Sequence, residues 1–234
     1  TRTSIGTNGL GIKLAVIFSK YFSVRIHDPE NKKEYFQEFI DSEPKEPEIK
    51  KYNKKTSMVE VTFELNESYF GDYSSEDFFT RINTIAVSTA MLVNPVKVYF
   101  NGELLKVKSR LEYFQMYDPD IIGVNLDTPI GPWFIGDEIK KSSESISFVN
   151  GSETIRGGKH VNYFVSRIVK ILCEILKKKT KKTITESFVK GFLTVYIIAV
   201  VRNPTFDSQA KECMTLESKN WGTLELILPD SFKK

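Results

Sequence analysis

The sequence predicts an α/β (α+β) fold arranged as two tandem units, and three observations carry that expectation. Strand-length apolar runs recur along the chain, at 22–27, 34–39, 59–65, 145–150 and 193–201. A stripe at helical spacing (Val161, Phe164, Val165, Ile168, Leu172, Ile175, Leu176) marks one long amphipathic helix over about 160–178. The order strand, long helix, strand between 145 and 201 is that of a right-handed β-α-β crossover.

The elements follow in order. A glycine loop, Gly6-Thr7-Asn8-Gly9-Leu10-Gly11-Ile12-Lys13, runs into an apolar helical segment at 14–18. Strands at 22–27 and 34–39 are joined by Asp28-Pro29-Glu30-Asn31, whose residue types suit a turn. Residues 42–57, rich in Pro, Lys and Glu, read as an exposed loop, and 59–65 alternates like a half-buried strand. Residues 78–92 have helical spacing. Asn101-Gly102, between 96–100 and 103–105, supplies the positive φ angles of a type I′ hairpin. A new α/β pattern begins near 108, with strands at 131–136 and 145–150 and a glycine pair, Gly157-Gly158, opening the long helix. At ~1.5 Å per residue that helix is a rod of roughly 28 Å. A short helix at 185–190 precedes 193–201, which is apolar on both faces and therefore a buried central strand.

The bulk properties exclude several functions. With 234 residues, 41% hydrophobic and 27% charged, the chain is ordinary globular material with enough length for two cores. No apolar run approaches the roughly 18 residues of a membrane span, and the first residues carry no secretory signal. A net charge of +3 is too small to argue for nucleic acid, so any DNA contact must come from local clustering. Cys173 and Cys213 lack metal-ligand spacing, and Cys173 reads as a core thiol in a reducing compartment. Two histidines leave little material for a triad or a zinc site.

Four stretches remain as candidates. The glycine loop opens a helix, which is how a backbone cradles phosphate: glycine allows close approach, the N–H groups face the anion, and Lys13 adds a charge. Alone the signal is weak, since Lys13 is followed by Leu14 rather than Ser or Thr and no strand precedes Gly6. Gly157-Gly158-Lys159-His160-Val161-Asn162 opens the long helix, and its His160 reads as structural. Asn203-Pro204-Thr205-Phe206-Asp207-Ser208-Gln209-Ala210-Lys211-Glu212 leaves the end of the buried strand, where a sheet holds a loop in place for ligand contact. Lys177, Lys178, Lys179, Lys181 and Lys182 crowd the end of the long helix, a favourable place for cations beside the helix dipole whatever else they do.

Three of these stretches, in this order, resemble the type IIA DNA topoisomerases of the eukaryotic, viral and phage kind. The first resembles the family's phosphate loop, Gly-x-Asn-Gly-x-Gly-x-Lys, and departs from it at Ile5 and Ile12. The second resembles Gly-Gly-Thr-His-Val-Asn, with Lys159 in place of a threonine that would cap the helix. The third is similar to Asn-Pro-x-Phe-Asp-Ser-Gln-Thr-Lys-Glu, with Ala210 in place of threonine. The segment 221–234 resembles the end of the family's transducer.

The resemblance implies the distal part of a Bergerat-fold ATPase domain at 1–107. It implies a transducer at 108–234, whose crossover is of the kind seen in the second domain of a ribosomal protein. It implies ATP as cofactor, with Gly6, Thr7, Asn8, Gly9, Leu10, Gly11, Ile12 and Lys13 around the phosphates. Gln209, Ala210 and Lys211 would face the γ-phosphate, with Lys211 as the switch. It implies double-stranded DNA as partner, through Lys177, Lys178 and Lys179. It further implies a homodimeric ATP gate, a cleavage core in the same enzyme, and action on DNA inside a cell. The family's general-base glutamate and magnesium-binding asparagine precede the phosphate loop, so this stretch is expected to hold no metal ligand and not to hydrolyse ATP alone. A non-catalytic dimerisation or DNA-contact module is the alternative. A mismatch-repair or chaperone ATPase would lack the 203–212 pattern.

Overall fold

In the computed structural model the described residues are 6, 9–73, 75–126, 133–139 and 144–220. The chain divides into two compact units, one from Gly6 to Ile82 and one from Asn83 onward.

The first unit is an antiparallel sheet with a short helix at its start. Helix α1 (Leu10–Ile17) leads into β1 (Ser19–Asp28), and β2 (Lys33–Ile40) returns beside it. The turn between them is fixed by the Asp28 carboxylate, which accepts from the Asn31 main-chain N–H at 3.0 Å and from its side-chain amide. β5 (Met58–Leu65) pairs with the other edge of β1, and α2 (Glu67–Phe70) follows, capped by the Asn66 side chain. Phe22 is the anchor: it lies opposite Phe39 on β2 and Phe63 on β5, and is buried. Arg25 ties the strands together, with carboxylates of Glu34 at 3.0 Å and Glu60 at 3.4 Å and the Phe36 ring beneath its guanidinium.

The stretch 42–57 departs from the exposed loop expected of it. It contains β3 (Glu43–Pro44) and β4 (Glu48–Lys51), both on the outer edge of β2. Edge pairing uses only the main chain, so a run of Lys, Glu and Pro with exposed side chains is compatible with it.

Helix α3 (Glu76–Leu92) begins in the first unit and ends in the second, where Ala90 and Met91 are buried. The hairpin β6 (Tyr99–Phe100) and β7 (Glu103–Leu104) turns at Asn101 and Gly102, with φ of 50° and 82°, the geometry its Asn-Gly demands. Helix α4 (Arg110–Gln115) starts on Ser109, whose hydroxyl accepts from the Glu112 N–H, while the Glu112 carboxylate accepts from the Lys108 N–H.

The second sheet runs β11-β10-β12-β9-β8. Its strands are β8 (Ile122–Leu126), β9 (Trp133–Ile139), β10 (Ser145–Val149), β11 (Ser152–Glu153) and β12 (Leu193–Ala199). β10 and β12 are parallel and are joined through α5 (Lys159–Thr180) and α6 (Glu186–Lys190), which makes the β-α-β crossover. All of β12 is buried. Val195, Ile197 and Ala199 pack with Trp133, Phe164 and Ile168 under α5; Tyr196 and Ile198 pack with Phe134, Phe148, Tyr113, Phe114 and the end of α3. Both faces are covered, which is why the strand reads as an unbroken apolar run.

The long helix begins one residue earlier and ends two residues later than the expected 160–178. Its last turn is held by the Thr180 hydroxyl on the Leu176 carbonyl and closes at Lys181 in the left-handed region. The stretch 221–234 and Thr7 and Asn8 lie outside the described residues.

Candidate functional site

The motif 203–212 is placed by the end of the central strand. Asn150, just past β10 at φ 50°, donates its side-chain amide to the Val201 carbonyl at 2.8 Å and accepts from the Val201 N–H at 2.7 Å. Trp133 Nε1 donates to the Val200 carbonyl at 2.9 Å. The chain therefore leaves the sheet at a fixed point.

Beyond it the chain folds back on itself. The Thr215 N–H donates to the Thr205 carbonyl at 2.9 Å and the Asp207 N–H to the Cys213 carbonyl at 3.2 Å, with Phe206 bridged to Met214. Lys211, at φ 61°, closes the turn with its N–H on the Ser208 carbonyl. Gln209 and Ala210 are exposed at the tip and Lys211 is half-buried beside them.

The returning arm is stitched to the start of α5. Met214 is fully buried; its N–H donates to the Gly157 carbonyl at 3.0 Å, and its carbonyl accepts from the Lys159 N–H at 2.8 Å. That second bond does the work expected of the threonine cap. Gly158 is the N-cap, no side chain caps the helix, and main chain from the loop satisfies its first donor. The approach is so close that a Cβ on Gly158 would lie 2.3 Å from the Met214 oxygen, and its φ of 132° also calls for glycine. Lys159 itself reaches Glu217 at 2.9 Å.

Arg156, one residue before the glycine pair, was not singled out from the sequence. Its N–H donates to the Glu212 carbonyl at 2.9 Å, its Nε pairs with the Glu212 carboxylate at 3.2 Å, and its Nη2 pairs with the Asp207 carboxylate. Asn150 also escaped notice. The only available hints were the position of Arg156 against Gly157 and the two acids inside the motif.

The glycine loop sits in the other unit, so its geometry is separate. Gly9 is left-handed (φ 62°) and is the N-cap of α1, which has no side-chain cap. A Cβ at Gly9 or Gly11 would meet nothing within 4 Å. An uncapped first turn with an open approach suits a phosphate, since those N–H groups have no intrahelical partner. Lys13 is exposed on the same helix. No residue of α1 is buried, and Ile12, Lys13, Val16 and Ile17 wall a cleft of about 390 Å³ with Phe22, Val24 and Phe39. The helix hangs on polar bonds: Ser19 to the Ala15 carbonyl and Ser42 to the Ile17 carbonyl.

His160 is completely buried, with Nε2 3.3 Å from the Thr154 hydroxyl and Nδ1 unpartnered. Burial pushes its pKa down to about 3, so it stays neutral behind the helix start. Lys177, Lys178 and Lys179 are exposed in the last turn of α5, roughly 30 Å along the helix from the loop contact. Among the described residues no group of three or more His, Cys, Asp or Glu could hold a metal ion, and no helix is long and apolar enough to cross a membrane.

Comparison with known proteins decides the family. Residues 137–234 match the model described as DNA gyrase B. The probable DNA topoisomerase 2 of Dictyostelium discoideum is 33% identical over 95% of this chain, and human DNA topoisomerase 2-alpha is 33% identical over 93%. The ATPase region of Saccharomyces cerevisiae topoisomerase II superposes with a TM-score of 0.89 at 29% identity, covering 99% of this chain. The chain belongs to the type IIA DNA topoisomerase family. It spans 15% of each of those two curated relatives and 62% of the yeast ATPase-region structure. The ATPase and transducer structure from Balamuthia mandrillaris topoisomerase II is also similar, with a TM-score of 0.86 at 28% identity over 99% of this chain and 61% of that one. The mixed α/β architecture is thus that of a type IIA topoisomerase ATPase region, and the hairpin carrying Gln209, Ala210 and Lys211 lies inside the stretch matched by the gyrase B model.

Proposed function

We propose that this chain supplies the ATP lid and the transducer of an ATP-dependent type II topoisomerase, which closes a homodimeric gate around one DNA duplex and passes it through another. Residues 1–107 serve the nucleotide side and 108–234 the transducer, with the end of α3 seated in the transducer core. Gly6, Thr7, Asn8, Gly9, Leu10, Gly11, Ile12 and Lys13 cradle the phosphates, with main-chain N–H groups as donors and Lys13 as counter-charge. Gln209, Ala210 and Lys211 meet the γ-phosphate, and Lys211 senses its presence because an ammonium on a long stem gains a contact that ADP does not offer. Lys177, Lys178 and Lys179 attract the phosphates of the captured duplex without regard to sequence.

The observation that carries this reading is the hairpin that holds Lys211 at its tip while its returning arm caps α5. A change at the lysine is mechanically joined to the helix that ends in the basic tract. ATP and magnesium are the cofactors, with the metal ligand supplied from outside this stretch. The remaining topoisomerase regions are partners, and the enzyme works on DNA inside the cell. This stretch contains no carboxylate in a general-base motif, so alone it does not hydrolyse ATP. The exposed Val59, Val61 and Phe63 on β5 are where the rest of a nucleotide-binding domain would pack.

The test is Lys211→Ala in the full-length protein. ATP-dependent supercoil relaxation should fall by about a hundredfold or more while ADP binding is unchanged, the loss expected of one charge-assisted contact to a developing anion. Relaxation at the unaltered rate would end the assignment of Lys211.

A further inference from the structure

We propose that Arg156 is a positioning residue that keeps Lys211 available to an anionic ligand by holding the two carboxylates that flank it. This rests on the reading of Lys211 as the γ-phosphate sensor.

The stretch 203–216 carries two carboxylates, Asp207 and Glu212, and one ammonium, Lys211. Left to itself it has one net negative charge. Glu212 is the next residue along the chain and Asp207 stands across the turn, so either is a natural intra-loop partner for Lys211. Such a pair would neutralise the lysine, and the remaining carboxylate would repel a phosphate.

Arg156 removes both competitors. Its planar guanidinium spans the base of the turn, Nε to Glu212 and Nη2 to Asp207, while its main-chain N–H holds the Glu212 carbonyl at 2.9 Å. A fork with donors in a fixed plane can engage two acids at once, which a lysine at 156 could not match. Among the described residues Lys211 has no ion pair, although two acids lie within four residues of it. Arg156 enters α5 through Gly157 and Gly158, so the residue that sets the charge around the sensor stands on the segment that the sensor's own hairpin caps.

The side chain of Arg156 is 55% exposed, so as a simple fastener it would do little for stability. A charge-balancing role makes a different demand: it should show in discrimination between a triphosphate and a diphosphate.

The experiment measures, in the full-length protein, the affinity for a non-hydrolysable ATP analogue relative to ADP, with thermal unfolding alongside. Arg156→Gln should lower that ratio about tenfold, the scale of one freed carboxylate near a partly screened site. Adding Asp207→Asn and Glu212→Gln to Arg156→Gln should restore most of it, which no purely structural fastening would do. In a Lys211→Ala background Arg156→Gln should cost less than in otherwise unaltered protein, because no lysine is left to be captured and only repulsion by the freed carboxylates remains. If Arg156→Gln itself proves unstable, Asp207→Asn with Glu212→Gln in otherwise unaltered protein replaces it and should leave the ratio unchanged or raised. A ratio unmoved by Arg156→Gln but lowered by Lys211→Ala overturns the role of Arg156 and leaves the sensor intact. A loss that the two neutralised acids do not restore also overturns it. A ratio unmoved by Lys211→Ala overturns the sensor itself and the inference with it.

Discussion

Gly158→Ala tests whether the loop and the long helix are one mechanical piece. Gly158 has φ 132° and ψ −163°, a region that costs an L-residue roughly 1–3 kcal/mol. Its Cβ would also lie 2.3 Å from the Met214 oxygen and 2.5 Å from the Met214 nitrogen, and main chain cannot swing aside as the end of a side chain can. The returning arm at Met214 must therefore move off. Two main-chain hydrogen bonds go with it, the Lys159 N–H on Met214 and the Met214 N–H on Gly157, worth about 1 kcal/mol each. The expected cost is about 3–5 kcal/mol, a large fraction of a typical total stability of about 5–15 kcal/mol. Gly151→Ala is the control, because Gly151 also has positive φ (89°) but open space where the Cβ would go. It should cost only the dihedral penalty, about 1–2 kcal/mol. Urea unfolding at equal m-value reads the difference, and hydrogen exchange at Lys159 and Met214 should lose protection only in the Gly158 variant. Equal destabilisation by the two alanines, within about 0.5 kcal/mol, would refute the coupling argued from the close approach.

Two further predictions concern groups whose side chains meet other chemistry. Asp137 is buried on β9 with Oδ1 unpartnered, and burial raises its pKa from 3.8 to about 6. The folded state therefore keeps a proton that the unfolded chain has released, so stability falls as pH rises from about 4 to about 6 and stays lower above. Asp137→Asn should be more stable than the parent at pH 7.5 by about 1–3 kcal/mol, with the gap closing towards pH 4; a gap that widens as pH falls contradicts the argument. For the basic tract, replacing Lys177, Lys178 and Lys179 by alanine should weaken duplex DNA binding uniformly across sequences. It should also reduce the slope of log affinity against log salt by about 3, and an unchanged slope removes these lysines from the DNA contact.

Much of this architecture follows from local residue patterns. Asn101-Gly102 can turn a hairpin wherever it lies, because the positive φ angles belong to those two residues. The stripe on α5 and the unbroken apolar run of β12 announce one covered face and two, respectively. The resemblance to the topoisomerases is equally local, a matter of glycines, Gln209 and Lys211 at set spacings. Edge strands such as β3 and β4 escape this kind of reading, since their pairing is made by main chain that every residue possesses.

The surroundings of the 203–212 loop depend on residues far away in sequence. Arg156 meets Glu212 across a separation of 56 residues, and Asn150 meets Val201 across 51. Neither side chain has a pattern that marks it, because an arginine finding two acids looks in sequence like any exposed arginine. The helix cap shows the same division. Lys159 in place of threonine implies a lost side-chain cap and a weaker start to α5, but in the fold the N-cap is Gly158 and Lys159 is already the first helical residue. Only the folded chain brings the Met214 carbonyl to the Lys159 N–H, because the crossover returns β12 beside β10 and delivers the loop to the helix entry. Local propensity sets what each segment can become; which donors and charges meet is decided by the packing that brings distant segments together.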